Sequence, residues 1–125
     1  MIDKPPSTPH RDDLIAGMTP LLASIISGPD GVCLTLTLEG DVDRWVQYMA
    51  DSVNAAYFGD EPPSDDLLYA MGPAVVTSFE AGNHLTVTLA ARDPESIAAW
   101  IYDYFQHVLE CGDAFVLDVQ VENLA

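Results

Sequence analysis

His84, Asp118 and Glu122 combine an imidazole with carboxylates, the minimum for acid–base work on a small molecule. If two main helices cover one side of a sheet, its other side displays Cys33, Thr35, Thr37, His84, Thr86, Thr88, Asp118, Gln120 and Glu122. His84 with Asp118 or Glu122 would then form the pair, although threonines suit an exposed strand face without any catalytic purpose. The loop 59–66 holds four carboxylates, Asp60, Glu61, Asp65 and Asp66, in eight residues. Hard cations bind clustered carboxylates, but the alternating Asp-x-Asp-x-Asp-Gly pattern of a calcium loop is missing and Pro62-Pro63 stiffens the stretch. Asp65 and Asp66 are accounted for by a helix N-terminus, where negative charge is favourable. His10, His84 and His107 fall on three different elements without metal spacing. Cys33 and Cys111 are far apart in no redox motif, and two reduced thiols are expected. No nucleophile elbow, phosphate loop, dinucleotide fingerprint or His-Glu-x-x-His motif occurs in the sequence. The expectation is a protein that is not an enzyme, with no catalytic residue, cofactor or metal.

The charged residues point to a partner instead. Twenty acidic residues stand against four basic ones, a formal net charge of −16 on 125 residues. From Trp45 onward thirteen acids face one base, Arg92. Winding a helix over 93–111 at about 100° per residue puts Glu95, Ala99, Asp103, Gln106 and Glu110 on the solvent side, with Tyr102 beside them. A helix over 41–58 turns Asp43, Gln47, Asp51 and Asn54 outward. Neither face carries the lysines that usually pair with acids four residues away. A solvated face in an acid-biased protein accounts for part of this. The functional reading is a rigid anionic surface for a cationic partner, with Tyr102 as an aromatic anchor. The candidate partner-binding residues are therefore Asp43, Asp51, Asp60, Glu61, Asp65, Asp66, Glu95, Tyr102, Asp103 and Glu110.

These residues must be carried by a fold of ordinary globular composition, 49% hydrophobic and 19% charged. Residues 1–10, rich in proline, read as a flexible lead, and 11–125 as one domain. Leu14, Ile15, Met18, Leu21, Leu22, Ile25 and Ile26 recur at helical steps over 11–27, with a kink or break expected at Thr19-Pro20. Leu34, Leu36 and Leu38 alternate with threonines in a half-buried strand over 32–39. Asp41 caps a helix to about residue 58, with Val42, Trp45, Val46, Met49, Val53 and Ala56 inward. Ser64 caps a short helix ending at Gly72-Pro73, and 74–79 with 83–91 form a hairpin around Glu-Ala-Gly. Asp93-Pro94 opens a helix to about 111, with Ile97, Trp100, Ile101, Tyr104, Phe105 and Val108 inward, and 115–122 is a last strand. Leu34-Thr-Leu-Thr-Leu38 and Leu85-Thr-Val-Thr-Leu89, each followed by a capped Trp-bearing helix, form a weak internal repeat. The resulting order is βαββαβ after an extra N-terminal amphipathic helix. It implies an α+β ferredoxin-like sandwich, with a four-stranded antiparallel sheet under two main helices on one face. Its core would be Leu34, Leu36, Leu38, Leu85, Val87, Leu89, Leu117 and Val119 beneath both tryptophans.

Composition excludes some functions outright. Nucleic-acid binding needs cations to neutralise phosphates, and this chain lacks them. No apolar run approaches the roughly 20 residues of a membrane span, and the N-terminus lacks the apolar core of a signal peptide, so a cytoplasmic protein is expected. In size and acidity the chain is similar at class level to bacterial immunity proteins and nucleic-acid-mimic inhibitors. That similarity implies docking onto a basic protein such as a nuclease-type toxin or another nucleic-acid-handling enzyme. It also resembles the type III secretion chaperones, which imply a dimer holding an extended segment. Their several consecutive strands after the first helix disagree with the helix expected here over 41–58. A third class is a small ferredoxin-like enzyme or ligand-binding domain using the Thr-rich sheet face, often as a homodimer.

Overall fold

The computed structural model describes residues 9–28, 31–49, 52–72, 74–90, 92–111 and 115–123. In chain order the elements are α1 (Pro9–Ser27), β1 (Val32–Leu38), β2 (Asp41–Met49), β3 (Ser52–Ala56) and α2 (Asp65–Met71). There follow β4 (Ala74–Glu80), β5 (His84–Leu89), α3 (Pro94–Asp103), a π-helical turn (Tyr104–Val108) and β6 (Leu117–Asn123). The strands form one sheet in the order β4-β5-β3-β2-β1-β6, antiparallel at every junction. The class is α+β, but the sheet has six strands and not the four of a ferredoxin-like sandwich.

The difference originates in residues 41–58. In place of a helix they form β2 and β3, with Gln47 opposite Asn54 and Met49 opposite Ser52. The spacing of Val42, Val46, Met49 and Val53 fits a helix, yet Val46 and Tyr48 also alternate, as do Val53 and Ala55, and all four of these are buried whereas Val42 and Met49 are exposed. Between strands already rich in β-branched residues and leucine, that period-2 set buries against neighbours on both sides. Gly40, at φ +91°, makes the tight reversal from β1 that brings Leu38 opposite Asp41. The repeat expected from the two Leu-Thr strands accordingly fails at its second half. Of these two strands only β5 leads into a helix, and Trp45 is a strand residue.

All three helices gather on one side of the sheet. Ile15, Met18, Leu22 and Ile25 of α1 join Leu34, Leu36, Val46, Tyr48, Val53, Leu85, Val87 and Leu89 in one buried cluster with α3. The helix runs unbroken across Pro20, beside which the Thr19 hydroxyl donates to the Ile15 carbonyl at 2.7 Å. Asp93 caps α3 by accepting from the Ser96 N–H at 3.0 Å, and Ser64 caps α2 by accepting from the Leu67 N–H at 3.2 Å. α3 buries two flanks, because α1 packs along the side that a two-layer sandwich would leave wet. Tyr102 is therefore a core residue, 1% exposed, with its ring 5.0 Å from that of Phe115. The Tyr104 hydroxyl reaches across the core to donate to the Ala56 carbonyl at 2.8 Å. Residues 1–8, most of the expected flexible lead, lie outside the described residues, whereas residues 9 and 10 belong to α1. No helix is long and apolar enough to cross a membrane among the described residues.

Candidate partner-binding surface

With the helices on one side, the other side of the sheet stays open. Antiparallel partners share a face, so one cross-strand row runs Gln120–Thr35–Gln47–Asn54–Thr86–Ser78 through all six strands. Side chains in the row bond one another: Gln47 Nε2 donates to Thr35 Oγ1 at 3.2 Å, and Thr86 Oγ1 donates to Asn54 Oδ1 at 3.0 Å. Thr35 Oγ1 in turn donates to Glu122 Oε1 at 3.1 Å. Next to this row lie Asp118, Thr37 and Trp45 towards one end, and Glu80 opposite His84 on β4 and β5. Cys33, opposite Glu122, is a fully buried free thiol on this face. The face carries amides, hydroxyls, carboxylates and a half-buried indole, but, among the described residues, no lysine or arginine. Gln47, Asn54, Ser52 and Trp45 belong to it only because 41–56 is a hairpin. A test of that segment for period-2 alternation would have found them.

The acid–base pair considered from sequence is not brought together. Between β5, which carries His84, and β6, which carries Asp118 and Glu122, stand β3, β2 and β1. At roughly 4.8 Å per strand that is about 19 Å, far beyond hydrogen-bond reach. The carboxylate opposite His84 is Glu80.

The ten candidate docking residues are dispersed. Asp43 is exposed on β2 and not on a helix, and Asp51 lies outside the described residues. Asp60, Glu61, Asp65 and Asp66 are exposed together around the N-terminus of α2. Glu110, at φ +56°, lines a cleft of about 520 Å³ with Phe58, Gly59 and Pro63, which brings it towards that loop. Glu95 is exposed in the first turn of α3, at a separate groove shared with Asp12 of α1. Asp103 is half-buried. Tyr102 is buried and is no surface anchor. The anionic helix-face patch expected from the wheel does not exist as one surface.

Arg44 explains why the cleft gains no net positive charge. It forms an ion pair with Asp41, donates from Nε to the Leu109 carbonyl at 2.9 Å, and stacks over the Phe58 ring at 5.2 Å. It thus ties β2 to the end of the π turn. Burial, aided by the Glu61 charge, raises the Tyr57 pKa, and the Tyr57 hydroxyl donates to the Glu61 carbonyl at 2.5 Å. Burial also pushes the Cys111 thiol up, against a smaller opposing pull from Arg44, so it is a poor nucleophile. Among the described residues no group of His, Cys, Asp and Glu is arranged to hold a metal. No protein-family model matches the chain, and neither a curated protein nor a solved structure shows significant similarity to it.

Proposed function

We propose that this chain is a small acidic binding protein that docks an anionic surface on a basic protein partner. The observation that carries the reading is the open sheet face, walled by Asp118, Glu122 and Glu80, carrying Trp45, and lacking lysine or arginine among the described residues. Such a surface attracts a cationic partner over distance and offers an aromatic group at contact. The docking face is therefore the sheet, and the helix faces contribute no anchor. A nuclease-type toxin or another nucleic-acid-handling enzyme presents the cationic cleft that this chemistry complements.

A second reading, a secretion-chaperone-like dimer holding an extended segment, is favoured by the element order. Three consecutive strands follow α1, the arrangement whose expected lack weighed against that class. Both readings share the basic partner and differ in its form. Titration with a lysine-rich unstructured peptide and with a folded nuclease of basic cleft, at low and at physiological salt, tests them. Binding of either that weakens as salt rises supports the proposal, and salt-independent or absent binding of both sinks it. Preference for the peptide together with a dimer in sedimentation selects the chaperone reading.

A further inference from the structure

We propose that the outer edge of β6 receives an extended segment of the partner as a seventh strand. That segment carries Lys or Arg at two positions four residues apart, between apolar residues. The inference rests on the reading that the partner is basic, and adds where and in what conformation it is held.

Backbone geometry comes first. β1 and β6 pair without a register shift, ending at Leu38 opposite Leu117. One step further, Glu39 N–H donates to the Val116 carbonyl at 2.8 Å. Hydrogen-bonded and non-bonded positions alternate along an antiparallel pair. Asp118, Gln120 and Glu122 therefore bond to β1, while Leu117, Val119 and Val121 turn their N–H and C=O groups to the free edge. The opposite edge of the sheet is different: β4 breaks register between Val76 and Ser78, a bulge that disrupts strand addition. Among the described residues β6 has no such bulge over its seven residues, and it contains neither lysine nor proline.

Side chains then define the guest. Val119 and Val121 lie on the helix side, yet they remain 37% and 55% exposed because no described element covers them. On the open side stand Asp118, Gln120 and Glu122, with Glu122 held by Thr35. An incoming strand sets its residues directly opposite these, so apolar residues meet Val119 and Val121 while cations meet Asp118 and Glu122. A second copy is the wrong guest. Antiparallel pairing of two β6 strands about Gln120, the register of full overlap, sets Asp118 against Glu122 twice.

The test uses the full chain and the palindromic peptide Val-Lys-Val-Gln-Val-Lys-Val, which fits in either direction, beside its scramble Val-Val-Lys-Lys-Gln-Val-Val. The patterned peptide should bind about tenfold more tightly than the scramble. Val121→Pro removes an outward N–H without touching the β1 ladder, and should abolish that preference. The double variant D118K/E122K should lose the lysine peptide and gain its glutamate counterpart, which keeps the test independent of how the proline variant folds. Equal binding of both lysine peptides overturns the seventh strand but leaves the basic-partner reading standing. Binding of neither overturns both. A dimer that Val121→Pro converts to monomer means the edge is filled by a second copy, and the proposal is wrong.

Discussion

Tyr104 illustrates how one polar atom decides the worth of a core residue. Its hydroxyl is buried and donates to the Ala56 carbonyl, linking the π turn to β3, and the burial raises its pKa well above the usual tyrosine value. Tyr104→Phe removes the donor and leaves a buried carbonyl without its partner, a loss of about 1–2 kcal/mol in denaturant unfolding. An unchanged midpoint would mean that water replaces the hydroxyl. Asp93 acts at the surface. The Ser96 hydrogen bonds hold its carboxyl below the usual aspartate value, so its stabilising contribution is fully present above that value and fades as pH falls through the lowered one. Asp93→Asn keeps the cap, and the melting temperature of this variant should lose the part of its acid dependence below about pH 4 that the parent shows. Caps of this kind were legible in the sequence because their chemistry is local: Ser64, Asp93 and Gly82 stand where turn and helix-start rules put them. Tyr102 was not legible, because its burial depends on packing against Phe115, which lies beyond the end of its helix.

Elements were readable where one periodicity was available and misread where two competed. β5 follows a strict two-residue alternation, β1 alternates leucine with threonine, and α3 begins at its Asp-Pro signal. Residues 41–56 satisfy both a helical and a strand pattern, and only the neighbouring edges of β1 and β5 decide between them. That single ambiguity turned six strands into four and hid the two central strands of the open face. α1 was recognised as amphipathic, but its surface could not be placed without the full sheet. Its position makes a prediction at this scale. Leu22 is fully buried at the junction of α1 with the core, so Leu22→Ala should lower stability by about 3 kcal/mol. Exposed Ile26 on the same helix should tolerate alanine with a change under about 0.5 kcal/mol. If the two variants unfold at the same denaturant concentration, α1 does not dock as described.

At the scale of the whole molecule, the charge sets folding and association in opposition. A net −16 on a body of radius of gyration near 14 Å places every carboxylate within one Debye length of most others at 10 mM salt, where that length is about 30 Å. At 150 mM it shrinks to about 8 Å, and repulsion across the body is screened. Folding confines these charges and unfolding spreads them, so the melting temperature should rise with sodium chloride over this range, by a few degrees. Association with a cationic partner draws on the same long-range field in the opposite sense, and its rate should fall over the same range. Measuring both in one buffer series separates screening from specific ion binding: potassium chloride must reproduce each curve. A melting temperature that does not move would show that the acids are already far enough apart to ignore one another. The attraction to a partner would then have to arise locally, from Asp118 and Glu122 at the β6 edge, and would still weaken as salt screens these exposed charges.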